Sequence, residues 1–152
     1  MKFAQVLDVD GSRESIFDLT QDYDRRLEWD PFLQDARLLS GAVTPEKGVR
    51  ALCTDRRGNA MEVVYVAYDR PSVAAVKMTR GPVFLQSFAG TWRFSDAGDG
   101  RTRVLFKYFY RIRWPFGALA APIARAFANE TAERLIALRD FVKTGATPAN
   151  GV

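Results

Sequence analysis

The clearest alternation of apolar and polar positions runs along residues 102–113, just before the last long apolar pattern of the chain. From residue 104 every second side chain there is apolar or aromatic, and four of the six side chains at the odd positions are basic. A period of two is typical of a β-strand with one buried face. We expect that buried face to carry Val104, Phe106, Tyr108, Tyr110 and Ile112.

The same kind of pattern predicts an antiparallel meander in the middle of the chain. Short turn segments such as Arg57-Gly58-Asn59 separate the apolar runs, and they are of hairpin type. An opening strand and two short helices precede the meander. The predicted elements are strand Phe3–Val9, a helix from Ser12 to about Asp22, a helical turn Tyr23–Glu28, and strands Gln34–Ser40, Gly48–Asp55, Asn59–Asp69, Ser72–Thr79, Phe84–Ser95 and Thr102–Arg113.

From Pro122 to Lys143 the period changes to that of an amphipathic helix. Because Pro122 lies inside the apolar pattern, the preceding Pro115–Ala121 is predicted to form a semi-independent flap. A long helix after antiparallel strands indicates an α+β fold in which a bent sheet wraps the helix and encloses a pocket. The predicted apolar stripe consists of Phe116, Ala120, Ile123, Phe127, Thr131, Leu138 and Phe141.

Length and composition indicate one globular domain. The chain has 152 residues, 47% of them hydrophobic and 26% charged, so a single core is expected over residues 1–143, with a flexible tail over 144–152. Eleven Phe, five Tyr and three Trp suit the wall of a cavity. The absence of histidine excludes Ser-His-Asp and Cys-His catalysis and the usual zinc and iron ligand sets. The single Cys53 is interpreted as a strand residue of the core.

The net charge and the N-terminal sequence give limited information about binding partners and location. The net charge of +4 does not by itself predict nucleic-acid or membrane binding, and no DNA partner is expected. The first ten residues lack the apolar region of a signal peptide, and the longest apolar run falls short of the roughly 20 residues that span a bilayer. We therefore expect no transmembrane segment and a cytoplasmic location.

Four short motifs, taken in order, resemble a known superfamily. They are Glu14-Ser15-Ile16-Phe17-Asp18-Leu19, Trp29-Asp30-Pro31-Phe32, Gly90-Thr91-Trp92-Arg93-Phe94 and Thr102-Arg103-Val104. Together with the element order, they resemble the START-like superfamily (Bet v 1-like, SRPBCC), particularly its polyketide cyclase/dehydrase branch. The resemblance covers residues 2 to about 143. It implies a helix-grip fold, a bent antiparallel sheet of about seven strands around the C-terminal helix, with a cavity for lipids, polyketides, quinones or similar molecules.

The sequence departs from parts of that superfamily in two places. Residues 40–48 read SGAVTPEKG, so the glycine-rich loop of the plant allergens is missing. The histidine-dependent catalytic arrangements have no residue to map onto, and no catalytic residue is assigned. Function also diverges widely within one fold.

The sharpest candidates for a ligand site are Glu130 and Arg134. They are four residues apart near the middle of the apolar stripe, so they can touch, and a low-dielectric cavity would make Arg134 a strong partner for a carboxylate, enolate or phosphate. The alternative is an exposed ion pair at the rim. Buried phenols could orient a ligand carbonyl or bond one another. The predicted ligand-binding residues are Tyr65, Phe88, Trp92, Phe106, Tyr108, Tyr110, Ile123, Phe127, Glu130 and Arg134.

Three classes of function remain open. The first is binding of a small hydrophobic ligand, without a cofactor or metal. The second is a cyclase or dehydratase that uses Tyr and Glu acid-base chemistry on a polyketide-like substrate. The third is a protein or RNA module, or a homodimer, that uses the basic outer face. This face is defined by Arg93, Arg103, Lys107, Arg111 and Arg113, with Leu105 and Phe109 between them.

Overall fold

The computed structural model describes residues 1–144. The predicted tail, apart from Thr144, lies outside the described residues. Within these residues, seven strands and three α-helices follow one another in the predicted order, with a short 3₁₀ helix before the last α-helix. The elements are β1 (Lys2–Asp10), α1 (Arg13–Gln21), α2 (Arg26–Trp29), β2 (Leu33–Leu38), β3 (Arg50–Asp55), β4 (Ala60–Asp69), β5 (Val73–Arg80), β6 (Leu85–Gly98), β7 (Arg101–Ile112), the 3₁₀ helix Phe116–Leu119 and α3 (Ala120–Lys143).

The strands form one antiparallel sheet in the order β1-β7-β6-β5-β4-β3-β2. Consecutive strands from β2 to β7 are antiparallel neighbours, and from β3 onwards they are joined by short turns, as predicted. The opening strand crosses to the far side and pairs with β7, so that Lys2 lies opposite Phe109 and Asp10 opposite Arg101. The sheet is strongly curled and holds α3, which also packs against β1. The helix-grip fold is therefore confirmed.

The predicted faces of β7 agree with the burial of its side chains. Val104, Phe106, Tyr108 and Tyr110 are buried, whereas Phe109 on the other face is 43% exposed. The neighbouring β6 turns Phe88, Trp92 and Phe94 to the same interior. These rings pack mostly edge to face, an arrangement that aromatic quadrupoles favour.

Several predicted boundaries differ from the structure. The second helix is Arg26–Trp29, later than Tyr23–Glu28. β6 continues to Gly98, beyond Ser95, because its last residues still pair with β7 across a register shift. The flap is a 3₁₀ helix that runs directly into α3, and α3 begins at Ala120. Pro122 is tolerated there because the first N–H groups of a helix have no partner within it.

The buried side of α3 includes residues that the predicted stripe omitted. Thr131 and Leu138 are fully buried as expected, but Leu135 and Arg134 are buried with them. The first helix begins as predicted, since the Ser12 hydroxyl accepts a hydrogen bond from the Ser15 N–H. Elements α1, α2 and α3 thus close the open side of the curled sheet.

Candidate ligand cavity

A cavity of about 430 Å³ lies between the inner face of the sheet and α3. This volume is in the range of small-molecule sites. Its wall is mainly apolar, with a few polar and charged side chains. The apolar wall comprises Phe32, Leu33, Met61, Val63, Val76, Phe84, Leu85, Phe88, Trp92, Phe106, Ile123, Ala126 and Phe127.

The exposed members of the lining mark where the cavity opens. Arg57 and Asn59 come from the β3–β4 hairpin, while Leu119 ends the 3₁₀ helix and Pro122 lies in the first turn of α3. The opening therefore includes part of the predicted flap. Phe32, from the Trp-Asp-Pro-Phe motif, lines the cavity as well.

Nine of the ten predicted ligand-binding residues line this cavity, and Tyr110 does not. The Tyr110 ring packs against Phe127 with centroids 4.8 Å apart, so it supports the wall from behind. Alternation correctly placed Tyr110 on the inner face, but that face extends beyond the cavity. The residues on the wall are Tyr65, Phe88, Trp92, Phe106, Tyr108, Ile123, Phe127, Glu130 and Arg134.

A buried charge cluster borders the cavity, and two of its members, Arg26 and Arg134, belong to the lining. Asp30 is 1% exposed, and Arg26 and Arg134 are each 6% exposed. Arg26 Nε donates to Asp30 Oδ2 at 2.8 Å, and Arg134 Nε lies 3.0 Å from the same oxygen without a hydrogen bond of good geometry. The other carboxylate oxygen accepts the Phe32 N–H at 3.0 Å. One carboxylate thus serves two guanidinium groups.

The electrostatics of the cluster keep all three groups charged. Burial would raise the pKa of Asp30, but Arg134 and Arg26 outweigh it and hold that pKa below its usual range. Burial also disfavours the charged form of Arg134, yet the Asp30 carboxylate outweighs this and raises the Arg134 pKa. Two cations and one anion therefore leave one positive charge without a buried counterion within the cluster.

Arg134 was predicted to pair with Glu130, and this prediction is wrong because its partner is Asp30. Within residues 1–144, the ion pair of Arg134 is with Asp30, and Glu130 makes none. The helix spacing places Glu130 and Arg134 on one side of α3, as predicted. The Arg134 guanidinium is nevertheless paired with Asp30, the residue that follows α2. Burial raises the pKa of Glu130 to about 7, although Arg134 acts in the opposite direction. Glu130 therefore faces the cavity as a carboxyl group that changes its charge near neutral pH.

Aromatic rings and a phenol complete the surroundings of Arg134. Its guanidinium lies 5.1 Å from the Phe32 ring centroid and 5.6 Å from that of Phe106. Arg134 Nη1 donates to the Tyr108 hydroxyl at 3.1 Å. Because the Tyr108 oxygen accepts this bond, its own proton is available for a ligand oxygen. Burial raises the pKa of Tyr108, so the phenol remains protonated at neutral pH.

A second polar group of the wall is a chain of hydrogen bonds from α1 to β4. The Tyr23 and Tyr65 hydroxyls are 2.9 Å apart, and the Tyr65 hydroxyl donates to Gln21 Oε1 at 2.8 Å. Gln21 Nε2 donates to the Thr20 hydroxyl at 3.0 Å. Burial raises the pKa of Tyr23 to about 12 and that of Tyr65 well above its usual range. Both phenols are therefore neutral at physiological pH.

Sequence reasoning missed several polar residues of this region, among them Tyr23, Arg26, Asp30 and Cys53. Asp30 lies within the quoted Trp-Asp-Pro-Phe motif, where a charged residue among large apolar ones is itself a signal of a buried partner. Arg26, four residues earlier, is at helical contact distance. Tyr23 and Cys53 had no such signal, although Cys53 was correctly placed on a strand. Within residues 1–144, no group of three or more Cys, Asp or Glu side chains could hold a metal ion.

The family model described as "Polyketide cyclase / dehydrase and lipid transport" matches residues 1–139 of this chain. The chain belongs to this family. The match covers the sheet, the first two helices and most of α3, so it includes the whole cavity wall. A search of the curated proteins gives no match to this sequence.

Solved structures share the fold of this polyketide cyclase/dehydrase family member at low sequence identity. The Zhui aromatase/cyclase from a Streptomyces species has a TM-score of 0.81 and 14% identity, with 100% of this chain and 99% of that chain covered. A START superfamily protein from Mycobacterium smegmatis has a TM-score of 0.76 and 15% identity, with 94% and 97% covered. A point mutant of Thalictrum flavum norcoclaurine synthase, bound to a transition-state analogue, has a TM-score of 0.74 and 12% identity, with 97% and 96% covered. At these identities the likeness establishes the fold.

Proposed function

We propose that this member of the polyketide cyclase/dehydrase family binds a small hydrophobic ligand in the cavity between the sheet and α3. The observation that carries the proposal is the combination of an apolar wall with a few polar groups that converge on one volume of about 430 Å³. Apolar walls supply affinity through burial, and the polar groups fix orientation. A lipid, polyketide or quinone of modest size is compatible with such a space.

The charge cluster favours the binding of a ligand that carries an acidic or enolic oxygen. Its uncompensated positive charge lies next to the cavity, and Tyr108 offers a proton beside Arg134. An anionic or strongly polarised oxygen there would receive charge-assisted hydrogen bonds. Arg134→Leu should therefore weaken the binding of naphthoic acid much more than that of naphthalene. Equal losses for the two probes would contradict this role of Arg134.

Native mass spectrometry of the protein purified from its own host tests the proposal directly. We expect a co-purifying small molecule with wild-type protein. Gly90→Val provides a cavity variant, because an added Cβ would lie 3.5 Å from the Tyr108 ring and 3.6 Å from the Phe88 ring, both on the wall. It should reduce the amount of bound molecule. Ala89→Val is the matched control, since residue 89 is on the opposite face of the same strand.

Two results would contradict the binding proposal. One is a wild-type protein that carries no small molecule and also shows no saturable binding of apolar fluorescent probes. The other is equal loss of ligand in the Gly90→Val and Ala89→Val variants, because that loss would reflect general destabilisation and not occupation of the cavity.

An enzymatic role is the second candidate, and one observation favours it. Glu130 faces the cavity with a pKa raised to about 7, which suits a group that both accepts and donates protons near neutral pH. The phenols are held neutral, so Glu130 is the residue through which a cyclase or dehydratase reaction would exchange protons. Turnover of a poly-β-ketone substrate that is lost in Glu130→Gln, with ligand affinity retained, would support this reading. Unchanged turnover in that variant would contradict it.

The basic outer face is partly neutralised in the structure, which weakens the case for a nucleic-acid partner. Arg103 Nε lies 2.9 Å from Asp8 Oδ1, which neutralises that cation, whereas Arg113 keeps its charge but is held by the Val83 and Leu85 carbonyl oxygens. A homodimer through this face and a cytoplasmic location stay predictions. Among residues 1–144, no helix has both the length and the apolarity that crossing a bilayer requires.

A further inference from the structure

The hydrogen-bond chain behind the cavity wall has a fixed direction because it ends on a backbone carbonyl. A carbonyl oxygen can only accept, so the Thr20 hydroxyl donates its one proton to the Phe17 carbonyl oxygen, 2.9 Å away. Thr20 can then only accept from Gln21, which places the Gln21 amide nitrogen at 3.0 Å from the Thr20 hydroxyl. The amide orientation is therefore determined by its neighbours.

The direction continues through the two phenols. With its nitrogen on Thr20, Gln21 presents Oε1 to Tyr65, and the Tyr65 hydroxyl donates to it at 2.8 Å. That bond uses the Tyr65 proton, so across the 2.9 Å between the two hydroxyls Tyr23 donates and Tyr65 accepts. Thr20, Gln21 and Tyr65 are all buried, so water cannot easily supply an alternative partner.

The last member of the chain faces the cavity without a proton to offer. Tyr23 lines the cavity, and within residues 1–144 no second donor reaches its hydroxyl oxygen. Its remaining lone pair can accept a hydrogen bond from a ligand O–H or N–H group. It cannot bond to a carbonyl, ether or carboxylate oxygen, because these atoms have no hydrogen to donate. At the other polar region, Arg134 and Tyr108 offer protons. The cavity wall therefore offers a neutral hydrogen-bond acceptor at Tyr23, in addition to the donors at Arg134 and Tyr108 and the titratable carboxyl group of Glu130.

We propose that the Tyr23 hydroxyl is a ligand subsite that accepts a hydrogen bond, and that it selects hydrophobic ligands bearing a hydroxyl, phenol or N–H group over ligands with only an ether or carbonyl there. This inference rests on the proposed function, since it needs a ligand in the cavity. Phe17, Thr20, Gln21 and Tyr65 act as positioning residues, because they set the direction in which Tyr23 donates.

The test uses matched fluorescent probes, 1-hydroxypyrene and 1-methoxypyrene, which share an aromatic body and differ in one donor hydrogen. Titrations should show that wild-type protein binds 1-hydroxypyrene about 3- to 10-fold more tightly, the range expected for one neutral hydrogen bond. Tyr23→Phe should remove this preference and leave 1-methoxypyrene affinity nearly unchanged. Tyr68→Phe is the matched control: its ring packs against Phe17 and Tyr65 but does not line the cavity, and the preference should persist.

A second variant tests the direction of the chain itself. Thr20→Val removes the hydroxyl that fixes the Gln21 amide, so the chain can run either way and Tyr23 can donate into the cavity. The preference for 1-hydroxypyrene should fall towards equality although Tyr23 is intact. A merely structural role of Thr20 would lower both affinities alike and leave their ratio unchanged, which would overturn the positioning argument.

The outcomes separate this inference from the binding proposal. If both probes bind with equal affinity, or if the preference survives Tyr23→Phe, the subsite is wrong and the cavity still binds apolar molecules. If neither probe nor pyrene itself binds wild-type protein, the binding proposal and the subsite both fail.

Discussion

Replacing Asp30 by Asn should destabilise the protein by about 4 kcal/mol, because it leaves two buried guanidinium groups without their shared anion. Removing one partner of a buried ion pair typically costs about 3–5 kcal/mol. We expect about 4 kcal/mol, the middle of that range, and not its lower end, since Arg26 Nε at 2.8 Å and Arg134 Nε at 3.0 Å both depend on Asp30 Oδ2. An amide placed there would also turn N–H donors towards other donors. The bond from the Phe32 N–H to Oδ1 would survive.

Urea unfolding at pH 7, followed by tryptophan fluorescence and by circular dichroism, measures this loss. A change of about 4 kcal/mol in a chain of this size corresponds to a fall of roughly 8–16 °C in Tm. Asp18→Asn is the control: that carboxylate is bonded to Arg70 at the surface, both side chains are about half exposed, and its removal should change the free energy of unfolding far less than Asp30→Asn does.

A double variant distinguishes uncompensated charge from lost packing. Arg134→Met in the Asp30→Asn background removes one of the two unpaired cations and should recover about 2 kcal/mol. If Asp30→Asn costs less than about 1.5 kcal/mol, or if the two substitutions simply add, the cluster is not held together by its shared carboxylate.

Two further predictions concern α3. Phe127→Asp should unfold the protein or cost more than about 4 kcal/mol, because it places a charge among the Phe88, Tyr108 and Tyr110 rings; a cooperatively folded variant as stable as an Asn129→Asp control would contradict this. For Glu130, folding raises the pKa from 4.5 to about 7, so the native state retains a proton in that window and stability falls as pH rises through it. After allowance for solvent screening the loss is about 1–2 kcal/mol, and Glu130→Gln should remove it; an unchanged pH profile in that variant would refute the assignment.

The strands and the long helix could be predicted because the spacing of apolar residues in each element shows which of its faces is buried. Alternation along 102–113 identified the inner face of β7, and the helical period brought Glu130 and Arg134 to the cavity side of α3. These inferences need only the geometry of one element. The fold followed from the order of the elements and from motifs that resemble a known superfamily.

The partners within the site could not be predicted in the same way, because they come from different elements. Arg134 is paired with Asp30, 104 positions earlier in the sequence. The period of a single helix or strand cannot indicate a contact between two different elements. Tyr23 lies in the turn between α1 and α2, where there is no period to interpret. Its role depends on a proton order that starts at the Phe17 carbonyl, and only side-chain geometry reveals it.

The pairing of the first strand with the last has a consequence for synthesis of the protein. β1 is synthesised about a hundred residues before its partner β7, since Lys2 lies opposite Phe109. At ordinary translation rates that interval is roughly 5–20 s. During it the edge of β1 has no strand to pair with, and β2–β6 can form hairpins alone. The cavity can therefore be completed only after β7 and α3 have both been synthesised, because residues of both elements line it.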